Sequence, residues 1–270
     1  MAKVISFGLQ KGGVSKTTTT GIMAYLLSQN KKVLAVDMDS QGNLTELLTG
    51  QSANNFFDHS VFEAIAYKDP KKYIYELNDS LHVLPANNFL ALFPKWIYKE
   101  KLPFTEKGQI SVPYRGTEIE QLKLTIDMIR DQYDFILIDT PPALSEQTSN
   151  ALYASDYVVV LFEASKFCYS AIPNFMESVY HVQSKTNLKI LGMLRTLNDR
   201  RRKDAHFFNE RIKNDYPNIV FDSVITRKAS TGRLPLNGFE DNDEINEALS
   251  QFYDLYQEFI ERMKEGEKNE

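Results

Sequence analysis

The sequence predicts an α/β protein built on a doubly wound, mostly parallel sheet with helices on both faces. Three observations carry that expectation. Apolar runs alternate with segments of helical period along most of the chain, which is the pattern of successive strand–helix–strand units. The first run leads directly into a glycine-rich turn and then a helical segment. The composition, 43% hydrophobic and 25% charged over 270 residues, is that of an ordinary globular protein long enough for one large core.

The apolar runs fall at 4–9, 33–36, 81–84, 135–138, 157–162, 188–194 and 219–225. Near-continuous apolar character suits strands buried on both faces. Segments 16–28, 118–130, 172–184 and 204–213 are helix candidates of the right length to cross between parallel strands. The stretch 50–115 holds Pro70, Pro85, Pro94, Pro103 and Pro113 among many aromatics, and reads as short helices with an irregular excursion. No internal repeat or low-complexity linker divides the chain, so residues 1–270 are expected to form a single domain. Near the end, Ile245, Leu249, Phe252, Tyr256, Phe259 and Met263 recur every three or four residues, giving a helix one apolar stripe. A membrane-surface helix is the alternative for that stripe. The acidic polar face favours packing on the sheet instead.

Composition excludes several classes. No apolar run approaches the roughly 18 residues of a membrane span, and the N-terminus MAKVISFGLQ lacks a signal-peptide pattern, so a cytoplasmic, unprocessed protein is expected. A lone cysteine, Cys168, forms no internal disulfide or multi-cysteine metal site and reads as a small core residue. His59, His82, His181 and His206 are scattered without ligand spacing. The net charge of -5 hides an asymmetry: residues 195–233 carry ten Lys or Arg against five Asp or Glu, whereas 240–270 carry three against eleven. A local excess of +5 is compatible with a surface that meets a polyanion, and also with a merely solvated one.

The strongest motif is Gln10-Lys11-Gly12-Gly13-Val14-Ser15-Lys16-Thr17-Thr18, between the first strand and the first helix. Glycines let backbone N–H groups turn toward a polyphosphate, and the helix adds its positive N-terminal end. Lys16 can reach the β- and γ-oxygens, and Thr17 can ligate Mg²⁺. The common pattern G-x-x-x-x-G-K-[ST] is not met, because Gln10 and Ser15 occupy its glycine positions. Further on, Asp37 and Asp39 follow the second strand, and Phe135-Ile136-Leu137-Ile138-Asp139 reads as a buried strand tipped by a carboxylate. Carboxylates at the carboxyl ends of parallel strands face the ligand crevice. Capping of the helix beginning near Asn43 is the other reading of Asp37 and Asp39.

These motifs resemble those of the ParA/MinD family of P-loop ATPases, and in particular its small Soj-like members without an N-terminal helix-turn-helix. Lys11 matches the signature lysine of the deviant Walker A box K-G-G-x-x-K-[ST], with Ser15 replacing its usual glycine. Asp37-Met38-Asp39-Ser40-Gln41-Gly42-Asn43 is similar to the box D-x-D-P-Q-G-N, with serine for proline, and the strand ending at Asp139 looks like the Walker B element. The resemblance implies a P-loop NTPase fold that uses ATP and Mg²⁺, with Gly12, Gly13, Val14, Ser15, Lys16, Thr17 and Thr18 around the phosphates. It implies Thr17 and Asp139 at the metal, Lys11, Lys16 and Asp39 in hydrolysis, and Asn198 against adenine. It also implies an ATP-closed homodimer in which each signature lysine reaches the partner's phosphates. Non-specific duplex DNA would bind through Arg200, Arg201, Arg202, Lys203, Arg227 and Lys228, and a centromere-binding ParB-type partner would stimulate turnover. The expected activity is slow ATP hydrolysis that releases DNA during plasmid or chromosome partition, in the nucleoid-bearing cytoplasm and away from membranes. The chain begins almost at its first strand, so operator-specific repression is disfavoured. A MinD-like membrane-cycling regulator would need a basic amphipathic C-terminal tip, where KEGEKNE stands. A metabolic P-loop enzyme would leave the D-x-D-x-Q-G-N box and the basic end without use.

Overall fold

The structure, a computed structural model, describes residues 1–98, 116–199, 201–239 and 242–268. In chain order its elements are β1 (Lys3–Gly8), α1 (Lys16–Ser28), β2 (Val33–Asp37), α2 (Asn43–Thr49), α3 (Val61–Tyr67), α4 (Pro70–Tyr73), β3 (Tyr75–Glu76), β4 (Leu81–Leu84) and α5 (Phe93–Ile97). After residues 99–115, which lie outside the described set, come α6 (Gln121–Asp127), β5 (Phe135–Asp139), α7 (Glu146–Ala154), β6 (Tyr157–Glu163), α8 (Lys166–Gln183), β7 (Lys189–Asn198), α9 (Lys203–Asp215), β8 (Val220–Thr226), α10 (Ala229–Asn237) and α11 (Asp243–Lys268). The strands form one sheet in the order β3-β4-β2-β5-β1-β6-β7-β8. Every pairing is parallel except that of β3 with β4. The expected doubly wound α/β class is therefore the class observed.

Side chains of the central strands alternate between two cores, as the period of two requires. Ile5, Phe7, Val33, Ala35, Phe135 and Leu137 join the larger cluster with α1, α8 and α11. Val4, Leu34, Val36, Ile136 and Ile138 join the smaller one with α3, α6 and α7. All seven apolar runs are strands, with ends shifted by a few residues at most. The short edge strand β3 and the helices α7 and α10 carry no strong sequence period and lie outside the sequence-based expectation.

Two helix expectations need correction. The segment 118–130 is broken into a 3₁₀ turn at Glu118–Glu120, the α-helix α6 and a second 3₁₀ turn at Arg130–Gln132. Helix α8 begins six residues before the expected Ile172, where the side chain of Ser165 accepts a hydrogen bond from the Cys168 N–H. Pro173 sits inside this helix, although proline in a sequence more often marks a helix start. The described part of the proline-rich excursion contains a 3₁₀ turn at Asn88–Leu92 and α5, whose Phe93 and Ile97 are buried.

The amphipathic stripe at the C-terminal end packs as expected. Ile245, Leu249, Phe252, Phe259 and Met263 are buried and Tyr256 is partly so, within the larger core. The ring of Phe259 stacks on that of Phe7 with centroids 6.4 Å apart, joining the last helix to the first strand. Phe259→Ala is expected to cost about 3–5 kcal/mol, the usual range for emptying a buried aromatic site. Urea unfolding followed by circular dichroism measures it, and a loss below about 1 kcal/mol would contradict this packing.

Candidate nucleotide site and basic face

Three strand ends meet at the N-terminus of α1. In register, Asp139 lies beside Phe7 of β1 on one side and beside Asp37 of β2 on the other. The loop from β1 to α1 is held open by two left-handed residues, Gly13 at φ 76° and Ser15 at φ 63°. Ser15 thus adopts a conformation for which glycine is the easier choice. Its side chain makes no capping bond, and the first turn of α1 contains no acidic residue. The helix therefore presents free N–H groups and a positive end to an incoming anion.

The loop is tied from behind. Thr196 Oγ1 of β7 donates to the carbonyl of the fully buried Val14 at 2.9 Å, and Thr140 Oγ1 donates to the Phe7 carbonyl at 2.8 Å. Gly12 and Gly13 remain exposed at the front. Lys16 is 7% exposed, and its Nζ donates to the Lys11 carbonyl at 2.8 Å. Burial lowers its pKa, while Asp139 and Asp39 act to raise it. Thr18 is half-buried in the first turn. Lys11 is half-exposed, and its ammonium has no hydrogen-bond or ion-pair partner among the described residues.

The carboxylates differ sharply. Asp37 is fully buried and accepts from the Thr45 N–H at 2.9 Å, the Thr45 hydroxyl at 2.8 Å and the Asp39 N–H at 3.1 Å. It thereby caps α2 from the neighbouring strand, so capping is its role here; burial pushes its pKa up to about 7 against those donors. Asp39 lies beyond the end of β2, so its direction is set by a turn and not by strand alternation. One of its carboxylate oxygens accepts from the Gln41 N–H at 3.1 Å. Gly42 closes that turn at φ 67°, and a Cβ there would come within 2.4 Å of the Ala53 Cβ. Glycine in the D-x-D-x-Q-G-N box is thus required both by conformation and by space.

Asp139 and Thr17 form a donor set that suits a divalent cation. Thr17 Oγ1 donates to Asp139 Oδ2 at 2.6 Å. The other carboxylate oxygen, Oδ1, is buried without a hydrogen-bond partner among the described residues. Such an orphan acceptor is costly unless a cation or an ordered water satisfies it. Burial first, and then Asp37, raises the Asp139 pKa well above the carboxylate range, opposed by the Thr17 hydroxyl and Lys16. Oxygen ligands of this kind, one hydroxyl and one carboxylate beside a phosphate cradle, fit Mg²⁺, which keeps most of its waters. Mg²⁺ would there supply charge neutralisation to the bound phosphates.

Asn198 is the last residue of β7 and does not follow it, since the strand continues past the expected Leu194. The Asn209 Nδ2 of α9 donates to its Oδ1 at 2.8 Å. The basic residues lie on two neighbouring connections. Arg202 precedes α9, and Lys228 precedes α10. Of the expected loop 226–230, Arg227 and Lys228 form the connection, while Thr226 ends β8 and Ala229 and Ser230 open α10. Arg200 lies outside the described residues, and Lys203 opens α9. The cations before α9 do not stand unopposed at its positive end. Arg201 pairs through two nitrogens with Asp199 at 3.0 and 3.1 Å, and Arg202 pairs with Asp204 at 3.1 and 2.5 Å. Lys228 Nζ donates to Ser250 Oγ at 3.1 Å. Arg195, counted within the basic segment, is a structural residue whose Nη2 donates to the carbonyls of Phe221 and Asp222. Sequence reasoning also misses Thr45 in α2 and Thr140, Thr196 and Glu163 at or near strand ends, because single hydroxyls and carboxylates carry no periodic signal.

Strand order, loop and lysine together put the chain in the class of P-loop nucleoside triphosphatases. A family model described as an AAA domain matches residues 2–191. The chromosome-partitioning ATPase Soj of Treponema pallidum is 30% identical over 250 residues, covering 88% of each chain. Among solved structures, a complex of Cyanothece McdA with ATP superposes with a TM-score of 0.77 at 21% identity, covering 97% of this chain and 95% of that one. Cobyrinic acid a,c-diamide synthase from Mycobacterium smegmatis, with a bound ATP analogue and magnesium, gives a TM-score of 0.73 at 28% identity, covering 94% and 96%. The chain belongs to the ParA/Soj family of P-loop ATPases.

Asp139→Ala is expected to remove the Mg²⁺-dependent part of nucleotide affinity, about 10–100-fold, as for the loss of a group that orients a metal's ligands. Affinity in EDTA should stay within about twofold. Titration of a fluorescent ADP analogue with and without Mg²⁺ reads both quantities.

Proposed function

We propose that the chain is a DNA-partition ATPase in which ATP closes a homodimer, the dimer binds duplex DNA without sequence preference, and slow hydrolysis releases it. The observation that carries this reading is the pair of lysines around the glycine loop. Lys16 is buried against the loop carbonyl, whereas Lys11 offers a free ammonium from the same loop. A second cation has no use inside one phosphate cradle already served by Lys16. A role across an interface, on a second subunit's nucleotide, gives it one. Gly12, Gly13, Val14, Ser15, Lys16, Thr17 and Thr18 then surround the phosphates by backbone N–H groups and side chains, and Asn198 meets the adenine. Thr17 and Asp139 hold Mg²⁺, and Asp39 orients the attacking water.

The basic connections before α9 and α10 would meet phosphate through Arg200, Arg201, Arg202, Lys203, Arg227 and Lys228. A ParB-type centromere-binding protein is the partner in this reading, and residues 1–270 act as one unit. The membrane-cycling alternative has less support. The apolar stripe of α11 is committed to the core, and no helix among the described residues is long and apolar enough to cross a membrane.

Asp39→Ala is expected to bind ATP and dimerise while turnover falls by about 10²-fold or more, the range for losing a group that handles the attacking water. Lys11→Ala should bind ADP as the parent does and stay monomeric with ATP. Sedimentation velocity with ADP and with ATP, beside a phosphate-release assay, separates the two. Full turnover by Asp39→Ala, or an ATP-dependent dimer of Lys11→Ala, would remove the residue from its role.

For DNA, replacing residues 200–203 by alanine should weaken ATP-dependent binding to arbitrary duplexes. Each lost phosphate contact should also flatten the plot of log K against log salt by about 0.9. Fluorescence anisotropy at several salt concentrations measures both. An unchanged slope would dismiss this segment from the interface.

A further inference from the structure

The two basic connections are joined by a single acidic residue on a third element. Glu163 ends β6, one strand away from the phosphate loop of β1. Its Oε1 lies 3.7 Å from Arg202 Nη1 and 3.6 Å from Arg227 Nη2. The Glu163 side chain is only 18% exposed, whereas Arg202 is 41% and Arg227 59% exposed. The backbone reinforces the junction, because the Arg227 N–H donates to the Asn198 carbonyl at 3.2 Å. Around it, Arg201 is held by Asp199 and Arg202 also by Asp204. Three described guanidinium groups, those of Arg201, Arg202 and Arg227, thus each lie within ion-pair distance of a carboxylate.

These carboxylates are not equivalent. Asp199 and Asp204 each pair with a neighbour two residues away on the surface, where ion pairs are weak and screened. Glu163, 18% exposed against 22% for Asp199 and 53% for Asp204, alone links both basic connections. A phosphate group approaching Arg202 or Arg227 must compete with it, and the competition is strongest where solvent screens least.

We propose that Glu163 masks the basic face in the nucleotide-free chain, holding Arg202 and Arg227 against the protein and so keeping its affinity for the phosphates of duplex DNA low. This rests on the reading of the basic connections as a DNA-binding face. The mask sits where a rearrangement of the phosphate loop can reach it. The Glu163 N–H donates to Cys168 Sγ at 3.2 Å in the first turn of α8, and β6 pairs directly with β1, the strand that leads into the phosphate loop. That adjacency would let nucleotide loading be coupled to exposure of the arginines.

The test uses the full chain and Glu163→Gln, with Glu177→Gln, an exposed site on α8, as the control for net charge alone. Binding of a fluorescent duplex of arbitrary sequence is titrated without nucleotide and with ATP, across a series of salt concentrations. The expected result is that nucleotide-free Glu163→Gln binds duplex DNA more tightly than the parent. Its salt slope should be steeper by roughly 0.9 for each arginine released, up to about 1.8, while Glu177→Gln behaves as the parent. Equal gains in both variants would reduce the effect to net charge and overturn the mask. A parent that binds DNA with ATP, beside a Glu163→Gln variant indistinguishable from it without nucleotide, would also overturn the mask while leaving the DNA reading intact. No binding by any variant in any nucleotide state would overturn both. Should Glu163→Gln fail to fold, Asp204→Asn at the exposed end of the same network is expected to give a smaller gain of the same sign, and no gain there would count against the mask.

Discussion

The rest of the molecule is arranged around a concentration of charge that would be unfavourable without a ligand. Asp37, Asp39 and Asp139 converge with one buried lysine at the positive end of α1. Two of the three carboxylates are fully buried. The fold removes the cost of Asp37 internally by giving it three donors from α2 and the turn before it. It does not do the same for Asp139, whose second oxygen stays without a partner among the described residues. The difference separates a carboxylate that builds the site from one that is left for a cation. Lys16 shows the same division, since its bond to the Lys11 carbonyl is a local arrangement that a phosphate oxygen can replace with a stronger, charged acceptor.

The parallel sheet makes this convergence possible. Each strand-to-helix turn at the carboxyl edge points its terminal side chains into the crevice flanking β1, where connections depart toward both edges of the sheet. Thr196 and Thr140, from β7 and the end of β5, bond to carbonyls of the β1–α1 segment. The loop conformation is therefore fixed by three strands and not by its own glycines alone, which accounts for a non-glycine residue at φ 63° in Ser15. Backbone strain at such a position is tolerated where surrounding contacts over-determine it.

Much of this is legible in the sequence, for identifiable reasons. Strands buried on both faces leave continuous apolar runs, and each of the seven runs marks a strand. The helix 16–28 is bounded correctly because the glycine-rich turn precedes it and the apolar residues of its second half continue to Leu27. What the sequence hides depends on long-range contact. Asp37 and Asp39 look alike two residues apart, yet one closes the N-terminus of α2 while the other lies in the turn. Only the position of Thr45, eight residues on, separates them. The sequence pattern places the start of α8 late, at Ile172, because the Ser165 cap that begins it is an ordinary serine. Broken helices such as 118–130 keep their periodicity while losing the hydrogen-bond ladder, so pattern alone cannot see the interruption.

The basic end shows most clearly how composition and structure part. Counting residues gives a surplus of positive charge over 195–233, which suits a polyanion surface as well as a merely solvated one. In three dimensions the described arginines are spoken for. Arg195 is consumed by carbonyls of β8, and Arg201 and Arg202 by carboxylates within two residues. Arg227 shares Glu163 with Arg202. A charge already paired contributes little long-range field, so attraction to a polyanion depends on how readily the pairs open and not on the number of cations. On the proposed reading, the affinity of this face would be a conformational property. Because the bridging carboxylate ends the strand next to β1, the proposed mask and the phosphate loop would be able to answer to the same event.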